Sequence, residues 1–139
     1  MLKESLILAQ VGDKNLERGK EYLKQRAIVQ AKKQGDKLKA LCHGSQTEPY
    51  RLWAVVTDKI EAASCSCPIG YDGQCKHIAA LLLLYRNDPD ELVELESFED
   101  ALQKRTKEQL IQLIKQAISV EPNLENLFEL PKGTNEDPF

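Results

Sequence analysis

Four side chains that bind soft metals lie within one short stretch, Cys65-Ser-Cys-Pro-Ile-Gly-Tyr-Asp-Gly-Gln-Cys-Lys-His77. Cys65, Cys67, Cys75 and His77 include three of the chain's four cysteines and one of its two histidines. Thiolate sulfur and imidazole nitrogen are the donors of tetrahedral zinc, and four protein ligands close the coordination sphere, which marks a structural rather than a catalytic ion. Other chemistries fit less well. A Cys65–Cys67 disulfide would close a very short, strained ring. A nucleophilic Cys75–His77 pair has no third group to orient it. Iron–sulfur clusters usually take four cysteines. The residues are read as one structural zinc site.

The site sets requirements for its surroundings. In a strand, residues two apart share a face, so Cys65 and Cys67 point the same way with Cα atoms about 6.6 Å apart. Sulfurs that share a tetrahedral zinc lie roughly 3.7 Å apart, so the chain must bend there. Pro68 and Gly70 supply the bend, and Asp72-Gly73 turns the chain back. Cys75 and His77 then fall at the start of a helix, where unpaired N–H groups favour a thiolate, and Lys76 adds positive charge. That helix, Ile78 to Tyr85, is apolar nearly all round. It is expected to be the core helix, covered on several sides and ended by Asn87-Asp88-Pro89.

Upstream, residues 4–11 suit a short helix, and Asn15 is placed to cap a second from Leu16 to Gln25. Period-two alternation then predicts a hairpin, with Ile28, Gln30 and Lys32 facing one way on the first strand and Leu38, Ala40 and Cys42 on the second. Tyr50 to Val56 and Ile60 to Ser66 read as two more strands. Beyond Asp90 the pattern becomes helical and acidic. Ser97 is a candidate cap for a helix through Gln103, Thr106 with Gln109 forms a capping-box signature, and Leu110, Leu113, Ile114, Ala117 and Ile118 make a helical stripe. The expected fold class is α+β, a small antiparallel sheet packed on an apolar helix with a structural zinc. The expected organisation is a zinc-bearing domain over 1–87, an acidic helical extension over 88–130 and a flexible tail over 131–139.

With 139 residues, 42% hydrophobic and 29% charged, the chain has the composition of one globular domain with an appended element. No apolar run is long enough to span a bilayer, and the start lacks signal-peptide layout, so a cytoplasmic, reducing setting is expected. The net charge of −3 conceals an asymmetry: residues 1–86 carry 14 Lys/Arg and 9 Asp/Glu, residues 87–139 carry 5 and 13. The basic part suits a polyanion; Arg18, Lys20, Lys24, Lys32, Lys33 and Arg51 are the candidate phosphate contacts. Tyr22, Tyr50, Trp53 and Tyr71 are candidate base-stacking residues, although core packing is the commoner role. Cys42 and His43 are adjacent and face opposite ways. They read as a small buried hydrophobe and a loop residue, against an alternative as extra ligands or a redox thiol.

Cys65-Ser-Cys67-Pro followed by Cys75-Lys-His77 resembles the SWIM zinc-finger family, whose pattern is Cys-x-Cys, a variable gap, then Cys-x-His. The apolar helix after His77 and the loop from Gly44-Ser45 to Pro49-Tyr50, which leads into a strand, look similar as well. By motif order the resemblance spans about residues 15–86. It implies a ββα-like finger with zinc between strand end and helix, and roles in DNA binding or protein interaction, in some members alongside helicase-like ATPases. This sequence has no Gly-x-x-x-x-Gly-Lys-Ser/Thr motif, so an ATPase partner would be a separate chain. Two functional expectations follow. One is a non-enzymatic adaptor that docks a protein partner, with a helicase-like ATPase as the candidate and no membrane or small-molecule substrate. The other is an autonomous DNA-binding regulator that uses the basic part. A redox sensor built on the thiolates is a third, thinner reading. The acidic extension is read either as a partner-docking arm or as a lid on the basic part.

Overall fold

The structure, a computed structural model, describes residues 2–132. The chain falls into two compact units, Met1–Ser97 and Phe98–Phe139. The first begins with two helices, α1 (Glu4–Val11) and α2 (Asp13–Lys24). Four strands follow: β1 (Ile28–Gln34), β2 (Lys37–Cys42), β3 (Tyr50–Val56) and β4 (Ile60–Cys65). After the ligand loop comes α3 (Lys76–Asn87), a 3-10 turn at Pro89–Glu91, and a short strand β5 (Val93–Leu95).

The sheet has the order β4-β3-β2-β1-β5. Neighbours among β1 to β4 are antiparallel, and β5 joins the edge parallel to β1, with Lys32 beside Val93 and Gln34 beside Leu95. One sheet face is closed by the helices. Leu38, Ala40 and Cys42 of β2, Leu52, Ala54 and Val56 of β3, and Ala63 and Cys65 of β4 are all buried there. β2 and β3 alternate as the period-two pattern predicts, while β4 carries an irregularity at Glu61 before Ala63 and Cys65 resume it.

α3 is the centre of the helical layer. Every residue from His77 to Leu83 is buried, and α3 packs on α2, α1, β3 and β4. A helix apolar on all sides is stable only in such a setting. Its approach to α2 is close because Gly19 faces it: a Cβ at residue 19 would lie 2.6 Å from the Ala79 Cβ and 3.0 Å from the Ala80 backbone nitrogen.

The structure departs from the sequence reading in four places. α2 begins at Asp13 after Gly12, so Asn15 is not its cap. The Asn15 side chain instead donates to the carbonyls of Val11 and Gln74. On β1, the run Ile28, Gln30, Lys32 does not hold one face, because a bulge lies between Val29 and Lys32 and Gln30 adopts φ 53°. The extra residue shifts the phase: Ile28 pairs with Cys42, Ala31 is buried, and Lys32 pairs with Lys39. The stretch after Asp90 is not helical at once, since Val93–Leu95 extends the sheet of the first unit, which runs on to Ser97. A three-residue strand is too short for its alternation to be visible. The sheet is accordingly mixed, where a small antiparallel one is expected.

The second unit holds α4 (Phe98–Gln103), α5 (Lys107–Val120) and a 3-10 segment at Pro122–Phe128. The Thr106/Gln109 capping box is present: Gln109 N donates to Thr106 Oγ1 at 3.2 Å, and Thr106 N donates to Gln109 Oε1 at 2.9 Å. The expected tail over 131–139 lies, from residue 133 on, outside the described residues.

Replacing glycine by alanine inside a helix normally stabilises by about 1 kcal/mol. At Gly19 the sign reverses, because the two atoms in the way belong to a buried helix. Gly19→Ala is expected to cost about 1–3 kcal/mol of stability, read from the urea midpoint of the zinc-loaded protein. A gain in stability would show that the two helices do not meet at this contact.

Candidate metal centre

β4 ends at Cys65, and the next residues form a tight knuckle. Cys65 N donates to the Gly70 carbonyl at 2.7 Å, and Gly70 N donates to the Cys67 carbonyl at 3.1 Å. Both cysteines thereby turn inward. Gly70 is required by space: a Cβ there would lie 2.6 Å from the Cys65 Cβ and 2.7 Å from the Cys67 Sγ. The chain then returns through residues 72–74, which α1 and α2 hold in place. Gln10 Nε2 donates to the Gly73 carbonyl at 3.2 Å, and Asn15 Nδ2 donates to that of Gln74 at 3.1 Å. Cys75 follows as the N-cap residue of α3, and His77 sits in its first turn.

The four side chains meet inside the protein. Cys65, Cys67, Cys75 and His77 are exposed by 6% or less, and their ligand atoms all lie within 4.8 Å of one another. Cys65 Sγ is 3.7 Å from His77 Nδ1, close to the roughly 3.7 Å spacing of sulfurs around tetrahedral zinc. His77 lies between two aromatic rings: Tyr22 stacks on it with centroids 5.1 Å apart, and Tyr50 tilts against it at 4.7 Å. Lys76 Nζ lies 5.3 Å from the centroid of Tyr22. Tyr22 and Tyr50 are therefore positioning residues for the imidazole rather than base-stacking ones. No spacing rule links them to the site; the contact appears only when α2 and β3 converge on it.

The protons are unevenly shared in the metal-free cluster. A hydrogen bond from Cys65, and then one from His77, bring Cys75 down to about 4 despite its burial. The same bond to Cys75, followed by burial, pushes the Cys65 thiol well up, and burial raises Cys67. His77 Nε2 is buried without a hydrogen-bond partner. A buried thiolate beside two thiols and a half-satisfied imidazole is a costly arrangement without a cation. The donor set, its enclosure and its size fit one zinc ion held by Cys65, Cys67, Cys75 and His77.

Cys42 stays outside the cluster. It is fully buried, and burial pushes its thiol up to about 12, so it remains a thiol near neutrality. His43 is exposed at the start of the following loop.

The six candidate phosphate contacts are not brought together. Arg18, Lys20 and Lys24 lie on α2, where Lys20 pairs with Glu4 and Glu17, and Lys24 with Glu21. Lys33 has the parity of buried Leu38 and donates to the Gly35 carbonyl at 2.7 Å. Lys32 and Arg51 are on the sheet face away from the helices, together with Lys37 and Lys39, which the sequence reading passed over.

Fold and site define a zinc-finger module in which a strand end and a helix start supply the ligands. Residues 50–86 match the family model for the SWIM zinc finger. The chain thus carries a SWIM zinc finger made of β3, β4, the ligand loop and α3. The match begins at Tyr50, so α2 and the first hairpin lie outside it, although the expected resemblance reached back to residue 15. No curated protein and no solved structure matches the chain.

Zinc binding must displace the protons of Cys65 and Cys67, whereas Cys75 has already lost its own at neutral pH. Groups with raised pKa hold their protons below that pKa, so zinc affinity is expected to rise with pH through the neutral range. About two protons should be released per zinc at pH 7, measured by calorimetry in buffers of different ionisation enthalpy. Release of three would show that Cys75 is an ordinary thiol. Cys75→Ser is expected to purify without stoichiometric zinc and to lose the cooperative thermal transition, and chelator should lower the wild-type melting temperature. A wild-type protein that contains no zinc by elemental analysis, and melts alike with and without chelator, would exclude the structural-metal reading.

Proposed function

We propose that the protein is a non-enzymatic, zinc-fastened adaptor whose second unit docks a protein partner. The observation behind this reading is the surface of residues 98–132, none of which is buried. α5 carries a stripe of Leu110, Leu113, Ile114, Ala117 and Ile118 at helical spacing. Leu113 is 43% exposed and Ile114 39%. Leu127 and Phe128 of the 3-10 segment are half exposed as well. A capped helix with an open apolar stripe gains burial when a second protein lies along it, at about 25 cal/mol for each Å² covered. Glu108, Glu121, Glu125 and Glu129 on the same unit favour a partner whose groove has a basic rim.

The resemblance to the SWIM family supplies the candidate partner class, a helicase-like ATPase on another chain. Four cysteines without a disulfide among them accord with a reducing, cytoplasmic setting. No helix among the described residues is long and apolar enough to cross a membrane.

The adaptor reading is tested by affinity capture with the full-length protein and with Leu113→Asp/Ile114→Asp, each with and without nuclease. The expected result is a protein recovered by the wild type in both conditions and lost, by tenfold or more, with the double variant. Recovery that survives the double substitution would remove α5 as the docking element. Recovery lost only on nuclease treatment would favour a DNA-binding regulator.

A further inference from the structure

The sheet of the first unit has a second face, turned away from α1 to α3, which takes no part in the zinc site. Cross-strand register assembles it. Lys32 of β1, Lys39 of β2 and Trp53 of β3 are direct neighbours in one row. Lys37 sits opposite Val55 in the next row, and Arg51 opposite Leu41. Lys32, Lys37, Lys39, Arg51 and Trp53 are all exposed, and with Gln30 they line one shallow groove.

Three features of this face point the same way. First, β1, β2 and β3 contain five cations and not one carboxylate. Among the described residues none of Lys32, Lys37, Lys39 and Arg51 is in an ion pair, unlike Lys20 and Lys24 on α2. Second, Lys32 and Lys39 are directly opposed, an arrangement that destabilises a sheet unless an anion lies between or above them. Third, the chain's sole tryptophan flanks these charges, beside Lys39 and two residues from Arg51, 37% exposed, with Lys37 Nζ 5.3 Å from its ring centroid.

We infer that this sheet face binds single-stranded nucleic acid. A polyanion answers the four cations that have no ion pair, and the partly exposed indole offers a flat surface to a base. A single strand offers both, phosphates along its backbone and bases free to stack. A duplex keeps its base faces inside the stack, so a flat sheet meets only its phosphates, and an acidic peptide supplies charge but no base plane. Trp53 stacks on one base, while Lys32, Lys37, Lys39 and Arg51 contact phosphates on either side. Neither contact uses the sugar hydroxyl, so DNA and RNA strands bind alike.

The test uses the full-length, zinc-loaded protein with oligothymidylate and oligouridylate of about 12 nucleotides. Because Trp53 is the sole tryptophan, its fluorescence reports stacking directly, and anisotropy of a labelled strand reports binding of any variant. Saturable quenching by both strands is expected, with a log–log salt slope of about −3 for four phosphate contacts. Lys39→Glu and Arg51→Glu should each weaken binding at least tenfold, and Trp53→Leu should do so with a nearly unchanged salt slope. Arg18→Glu on α2 should leave affinity unchanged. Zinc content and melting temperature check that each variant is folded. Four results would each overturn the proposal: no binding by the wild type, equal competition by a duplex of the same length, equal displacement by polyglutamate, or a loss with Arg18→Glu as large as with Lys39→Glu.

Discussion

Four donor atoms from a strand end and a helix start have to share one small volume, and most of the local structure follows from that. Cys65 and Cys67 leave an extended strand too far apart for one ion, so the chain is folded into a knuckle. Its hydrogen bonds, Cys65 to Gly70 and Gly70 to Cys67, leave no room for a side chain at residue 70. Cys75 must arrive from the other side. The loop before it is held by side chains of α1 and α2, which explains why two helices that contribute no ligand precede the sheet. His77 is set by the rings of Tyr22 and Tyr50, one from α2 and one from β3. Residues from α1, α2 and β3, which contribute no ligand, therefore help fix a site whose ligands span only residues 65–77, and the metal returns that constraint by tying sheet to helix.

The second consequence is the character of α3. A helix whose first turn carries a buried ligand cannot leave that end in solvent, so its N-terminal half is enclosed along with the metal. The sequence meets this with Ile78 to Leu84, apolar on every side, and the fold meets it with α2, α1, β3 and β4 around the helix. The close contact of Gly19 with Ala79 brings α2 near enough for Tyr22 to reach His77. Packing and metal site are thus one arrangement rather than a core with a site attached.

Much of this is legible in the residues alone. The ligand set follows from residue type and spacing, the core helix from its unbroken apolar run, and β2 and β3 from alternation that the burial pattern repeats. What the residues do not show is what depends on phase and on distant partners. The bulge at Gln30 moves Ala31 inward and Lys32 outward, and Gln30 has no residue-type signature of a positive φ. Strand β5 is three residues long, and its place beside β1 is set by a crossover through the rest of the unit. Asn15 has the residue type of a helix cap but bonds a loop carbonyl distant in sequence. Tyr22, Tyr50 and Trp53 look alike as aromatic residues; only their positions separate two that hold the imidazole from one left on an open face.

Net charge is a poor guide to where this protein presents positive potential. Dividing the chain after Arg86 gives a basic part and an acidic part, yet the compact unit continues to Ser97 and holds 14 Lys/Arg and 14 Asp/Glu, so it is neutral. What distinguishes the unit is segregation. On α2, Lys20 and Lys24 stand beside glutamates and are neutralised locally. On β1 to β3, the cations that point away from the helices have no acidic neighbour on their own strands. Potential above a surface depends on charges within about a Debye length, roughly 8–10 Å at moderate salt, so a neutral unit can still present a positive face. Strand register creates that face, because it puts Lys32 beside Lys39 and Lys39 beside Trp53. The zinc, by fixing the end of β4 against α3, holds the opposite side of the same sheet, and so leaves this side free to act as a surface.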